Sequence, residues 1–147
     1  MDLNTIYDKI IASILTEDEK SDINQSLKRV RITKDFVKRY KNDYATLKHF
    51  DYDNDIGYAW VTDYTIAGMC AVDRSDRDNR IYITILDVAD LYKKQGLGTE
   101  ILRFCINKLQ ANSLTVRKTN KVAIHMYEKN GFKIVSENDR HYTMFLY

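Results

Sequence analysis

Apolar residues at Leu3, Ile6, Tyr7, Ile10, Ile11 and Ile14 recur at steps of three and four, which predicts a helix over roughly residues 3–15. Thr16 to Asn24 is polar and acidic and reads as a loop or a helix start, and KRVRIT (28–33) as a short strand. Over 33–49, Thr33 is a plausible N-cap and Phe36, Val37, Tyr40, Tyr44 and Leu47 form a stripe, so a second helix is expected. The pattern then changes. DYDND (51–55) is a turn-rich acidic cluster, and the β-branched and aromatic runs near 57–63 and 65–72 read as a hairpin. After a charged loop at 74–79, RIYITILDV (80–88) is the most apolar strand candidate, fit for the centre of a sheet.

A helix is expected after Gly98, with Ile101, Leu102, Cys105, Ile106 and Leu109 on its buried face. SLTVRKT (113–119) predicts a strand, and KVAIHMYEKN (121–130) a short helix with Gly131 as its C′ residue. FKIVSE (132–137) and HYTMFLY (141–147) complete the pattern as two strands joined by NDR. Helices followed by strand–strand–strand–helix–strand–helix–strand–strand make an α/β chain of the α+β kind: a mixed sheet with helices packed on it.

Composition narrows the function. The 147 residues suit one domain with a real core. Formal net charge is +2, from 23 basic and 21 acidic residues, which argues against a general nucleic-acid binder. The basic run KRVRITKDFVKRYK is interspersed with helix-face apolars and reads first as a solvated surface. Cys70 and Cys105 show neither CxxC nor Cys/His spacing, so neither a metal site nor a disulfide framework is indicated and a reducing cytoplasm fits. MDLNTIYDKI lacks the basic n-region and apolar core of a signal peptide, and no apolar run approaches the ~20 residues that span a membrane.

Only five glycines are present, and two of them, Gly96 and Gly98, stand one residue apart in KKQGLG. A Walker loop requires GxxxxGK with Ser or Thr, which is missing. A dinucleotide fingerprint requires a third small residue, where Ile101 stands. What remains is strand, glycine loop, helix. There the N–H groups of Gly96, Leu97, Gly98 and Thr99 can grip an anion at a helix N-terminus, with Lys93 and Lys94 adding charge. A plain strand-to-helix turn is the alternative.

The stretch LDVADLYKKQGLGTEIL resembles the GNAT family, the GCN5-related N-acetyltransferases that use acetyl-CoA. The family signature Q/R-x-x-G-x-G/A appears as K-K-Q-G-L-G, with Lys93 in the Q/R place and Asp90 where a proline is common. In TVRKTNKVAIHMYEKNGFK, residues Asn120, Ala123, Tyr127, Gly131 and Phe132 match N-x-x-A-x-x-x-Y-x-x-x-G-F. The resemblance covers roughly residues 80–135 and implies a single GNAT-like domain over 1–147. Residues 1–50 would be a helical acceptor-side segment and 55–147 the acetyl-CoA-binding core.

It also implies a splayed sheet with acetyl-CoA in the gap. Pantetheine would pair with the backbone of Leu86 and Val88, and the pyrophosphate would sit on Gln95, Gly96, Gly98 and Thr99 near Lys93 and Lys94. The Val88 N–H would polarise the acetyl carbonyl, Asn120 would reach the co-substrate, and Tyr127 would protonate the departing thiolate. The acceptor would be a small-molecule or peptide amine, with neither nucleic acid nor membrane as partner and a homodimer left open.

The base is not legible: Tyr82 and Thr84 stand where some members carry a glutamate, and Asp87, His49, Glu137 and His141 are candidates, as is a water chain. Tyr58 and Trp60 are candidates for the acceptor side or for sheet packing. A non-catalytic acyl-CoA-binding module is the competing reading.

Overall fold

The computed structural model describes residues 27–75 and 77–147; the helix expected over 3–15 and the segment Thr16 to Asn24 lie outside the described residues. One seven-stranded sheet has the order β1-β2-β3-β4-β5-β7-β6. Its strands are β1 (Lys28–Arg31), β2 (Asp55–Val61), β3 (Ile66–Asp73), β4 (Tyr82–Val88), β5 (Ser113–Arg117), β6 (Phe132–Glu137) and β7 (His141–Leu146). Three α-helices among the described residues are α1 (Lys34–Tyr40), α2 (Leu97–Asn107) and α3 (Lys121–Lys129).

The apolar patterns divide between two faces of the sheet. On one face α2 buries Leu97, Ile101, Leu102 and Cys105. They join Cys70, Leu114 and Met144 from the strands, and Ile124 and Tyr127 from α3. Each fully buried aliphatic side chain there contributes about 1.5–3 kcal/mol. The opposite face packs Val37, Leu47 and Phe50 onto Ala59, Met69, Ala71 and Ile85.

The expected helix over 33–49 is two pieces. Thr33 caps it as predicted, its Oγ1 accepting from the Phe36 N–H at 3.2 Å. The α-helix ends at Tyr40, a turn occupies 41–43, and a 3₁₀ turn runs over Ala45–His49. Tyr44 is extended (φ −129, ψ 94), which breaks the helix although the stripe continues through it. The rings of Phe36, Tyr40 and Tyr44 still pack in succession, with centroids 4.8 Å and 6.3 Å apart. A second correction concerns α2, which begins at Leu97 with Gly96 as N-cap, so Gly98 lies inside its first turn. Gly131 follows α3 at φ +99, as its C′ assignment requires.

The feature that positions the site is a fork. β4 pairs with β3 from Asp73↔Tyr82 through to Gly68↔Val88. On its other side it pairs with parallel β5 only at Tyr82↔Ser113 and Ile83↔Leu114. Beyond Ile83 the two strands part. Arg80 pins the closed end: its Nε donates to Ser113 Oγ at 2.6 Å, and its Nη2 donates to the carbonyls of Asn112 and Leu146, each at 3.4 Å. The guanidinium also lies 3.6 Å from the Phe145 ring centroid.

Candidate active site

The unpaired edge of β4 is chemically active backbone. In an antiparallel ladder alternate residues aim their N–H and C=O at the same neighbour. The Ala89 N–H donates to Ala67 O at 2.8 Å, so Leu86 and Val88 aim theirs away from β3, into the fork. Their side chains are half-buried against the α2-side core.

Beyond Val88, the 3₁₀ turn Asp90–Tyr92 buries Leu91 and Tyr92 and leads into residues 93–96. Lys93 is paired with Asp90 at 2.9 Å. Lys94 at φ +63 and Gly96 at φ +84 are both left-handed, and such turns make concave arrays of N–H groups. A Cβ on Gly96 would meet nothing within 4 Å, so glycine is needed there for conformation rather than room. Gly96 offers no side-chain cap, and the first intrahelical bond is Glu100 N–H to Gly96 O at 3.0 Å. The N–H groups of Gly96, Leu97, Gly98 and Thr99 precede that bond and form the positive end of the α2 dipole. A Cβ on Gly98 would come 3.5 Å from Met126 Sδ and 3.7 Å from Val88 Cγ2, so this first turn looks toward α3 and the end of β4. Gln95 Nε2 donates to Leu91 O at 3.1 Å, while its Oε1 is buried without a partner.

Tyr127 projects from α3 into the α2-side core and is 8% exposed. Burial, with a smaller contribution from Cys105, pushes its hydroxyl up to about 12. The Cys105 thiol is itself pushed well up, by its hydrogen bond with Cys70 and then by burial; both cysteines are free and buried, as expected of small core residues. Asn120 caps α3, its Oδ1 accepting from the Ala123 N–H at 3.2 Å, which leaves the amide NH₂ as its donor.

The base candidates separate by face. A β-bulge leaves Thr84 opposite no residue of β3, since Val72 pairs with Ile83 and Ala71 with Ile85. Ile85 joins the α1-side core, so Asp87 also faces away from α2. There its Oδ2 accepts from Thr46 Oγ1 at 3.0 Å. Glu137 is paired with Lys118 at 3.0 Å, His49 is exposed, and His141 is half-buried opposite Arg117. Tyr58 and Trp60 pack edge-on to Phe104 of α2, with ring centroids at 5.1 Å and 5.4 Å, which puts both on the α2 side.

Sequence reasoning missed one relationship. Continued beyond its last pair, Ile83↔Leu114, and past the extra residue Thr84, the β4–β5 register would set Asp87 level with Arg117. On β5, Leu114 and Val116 are buried toward α2, while Thr115 and Arg117 are exposed on the other face. Asp87 and Arg117 thus flank the fork on the same face, opposite in charge, and form no ion pair with each other. The alternation of β5 was legible beforehand; the bulge that aligns the two strands was not.

Comparisons with known proteins agree with this fold. A model of the Acetyltransferase (GNAT) family matches residues 24–132. N-alpha-acetyltransferase 50 of Danio rerio is 30% identical over 91 residues, 57% of this chain and 54% of that protein. The chain therefore spans about half the length of that relative. The ribosomal-protein-S18-alanine N-acetyltransferase of Escherichia coli superposes with a TM-score of 0.67 at 17% identity, over 82% of this chain and 92% of that one. A GNAT acetyltransferase of Elizabethkingia anophelis, solved with acetyl-CoA bound, superposes at 0.60 and 15% identity, over 82% and 97%.

Proposed function

The chain belongs to the acetyltransferase (GNAT) family, and from that premise we propose that it transfers the acetyl group of acetyl-CoA directly to a primary amine. The observation that carries this is the fork: an unpaired strand edge at Leu86 and Val88, leading straight to the open N-terminus of α2. The residues present fit the co-substrate. The amides of residues 95–99 and the charges of Lys93 and Lys94 suit a pyrophosphate. The backbone of Leu86 and Val88 suits the amide groups of pantetheine, and the Asn120 amide remains free to donate. The orphaned Gln95 Oε1 supplies an acceptor for one of the ligand's donors.

In this reading the Val88 N–H donates to the thioester carbonyl as negative charge develops there. The amine nitrogen forms the new C–N bond and gives a proton to water, the C–S bond breaks, and Tyr127 protonates the sulfur. Against a thiol in water, near pKa ~8.5, a hydroxyl at about 12 would be uphill by about 5 kcal/mol. The same dry surroundings raise the thiol too, which narrows the gap.

An α-amine suits the site better than a lysine side chain. Its pKa of about 8 leaves an appreciable neutral fraction near neutrality, against about one in a few thousand for lysine. The names of the Danio rerio and Escherichia coli relatives support that choice. The same proposal keeps 1–147 as one domain, with 1–50 on the acceptor side and 55–147 binding acetyl-CoA. It also places the protein in a reducing cytoplasm, which its two free thiols suit, with a small molecule or peptide rather than nucleic acid or membrane as partner. Among the described residues no helix is long and apolar enough to cross a membrane.

Calorimetric titration with acetyl-CoA, followed by thiol release with a panel of amines, tests the proposal. Binding with turnover supports it, and an absence of binding heat defeats it. Binding without turnover of any amine would favour a non-catalytic acyl-CoA module, a reading encouraged by Tyr82 and Thr84 standing where a glutamate could act as base.

A further inference from the structure

We propose that Asp87 and Arg117, on either side of the fork, bind an acceptor that carries an anionic group as well as its reactive ammonium. This rests on the acetyl-transfer reading. Both side chains lie on the sheet face opposite α2, so an acceptor there approaches the thioester from the side away from the co-substrate's helix. Asp87 immediately precedes Val88, the residue whose N–H holds the carbonyl. An ammonium drawn to Asp87 therefore arrives beside the thioester carbon, which its nitrogen attacks once a proton has passed to water.

Thr46 holds one oxygen of Asp87 at 3.0 Å, and a carboxylate retains further acceptor capacity after one such bond. Across the fork the neighbouring cation Lys118 is taken up by Glu137, whereas Arg117 makes no ion pair with a described residue. Strands in a ladder lie about 4.8 Å apart, and these have separated beyond that spacing. The two charges form no ion pair with each other, and their places on opposite sides of the fork suit an ammonium and a carboxylate carried on one molecule. Arg offers its donors as a planar fork, the geometry that matches a carboxylate.

Two sources share this chemistry: a free amino acid, and a peptide whose first residue is acidic. Steady-state thiol release separates them, using alanine against alaninamide and Asp-Ala-Ala amide against Asn-Ala-Ala amide. The carboxylate-bearing member of one pair should be favoured about 10-fold in kcat/KM, the scale of a charge-assisted hydrogen bond. That pair identifies the source. Arg117→Gln should bring the ratio close to one and Arg117→Glu should invert it, which controls for the intrinsic reactivity of each amine. Asp87→Asn should raise KM for both members by about 10-fold. Calorimetric affinity for acetyl-CoA should stay within about twofold in all three variants, showing that the co-substrate side is intact.

A wild-type ratio near one, a ratio indifferent to Arg117→Gln, or no turnover of any probe while acetyl-CoA binds would each overturn the inference. Failure of the wild type to bind acetyl-CoA would instead sink the acetyl-transfer reading, and this inference with it.

Discussion

The ring of Tyr127 on α3 stands edge-on to that of Phe132 on β6, with centroids 6.0 Å apart and planes at 60°. The contact is between ring atoms, so the hydroxyl is not what anchors the side chain. Tyr127→Phe is expected to keep the packing and the affinity for acetyl-CoA while lowering kcat roughly 10²-fold, the low end for a lost general acid. Single-turnover thiol release measures it, and an unchanged rate would return Tyr127 to a purely packing role.

The pH profile carries a second prediction. In the proposed mechanism the protonated form of Tyr127 is the active one, and with its hydroxyl held up at about 12 that form persists well above the usual tyrosine range. kcat/KM should rise with pH as the acceptor amine loses its proton, then show no fall attributable to Tyr127 up to about pH 10.5. The effect on stability has the opposite sense. The folded-state pKa lies above the unfolded value near 10, so the folded state loses stability as pH rises from about 10 through 12. Denaturant midpoints across that range, compared with those of Tyr127→Phe, isolate the contribution.

The two glycines of the loop should part company. Gly96→Ala forces a side chain into φ +84, at about 1–2 kcal/mol, and should weaken acetyl-CoA binding by disturbing the amide cradle. Gly98 is helical, and an added methyl would meet ordinary contacts at 3.5 Å and 3.7 Å. Gly98→Ala should gain up to about 1 kcal/mol from helix propensity and retain binding. Thermal melts with and without acetyl-CoA report both halves.

Arg80 is expected to matter far more than a surface arginine. Arg80→Met removes the donor that meets the fully buried Ser113 Oγ and two backbone carbonyls, and should cost about 2–3 kcal/mol. Chemical denaturation measures that loss, and a change below about 0.5 kcal/mol would show that the closed end of the fork holds without it.

The sequence was most legible where period and burial coincide. Ile101, Leu102 and Cys105 announced the buried face of α2, and the β-branched run over 82–88 announced the central strand, because each is determined by side chains one turn or two residues apart. Legibility failed where the backbone decides. Tyr44 and Leu47 keep helical spacing through a segment that is not one helix, since a stripe records which residues are buried and not whether the chain between them turns. The left-handed turn ahead of α2 could be read from Gly96 because positive φ favours one residue type. Where β4 and β5 stop pairing leaves no mark on residue type, and neither does the bulge at Thr84 that puts Asp87 on the same face as Arg117.

A sheet that stops zipping midway leaves a vacant rail. Along Leu86 and Val88 the central strand offers donors and acceptors spaced for another extended chain, and no strand of the described fold takes them up. Pantetheine, itself a short run of amides, would finish the lattice as a surrogate strand. Deuterium uptake at the Leu86 and Val88 amides should then be fast in the free protein and slow once the surrogate is seated, while amides such as Ala89, already bonded to β3, keep their pace.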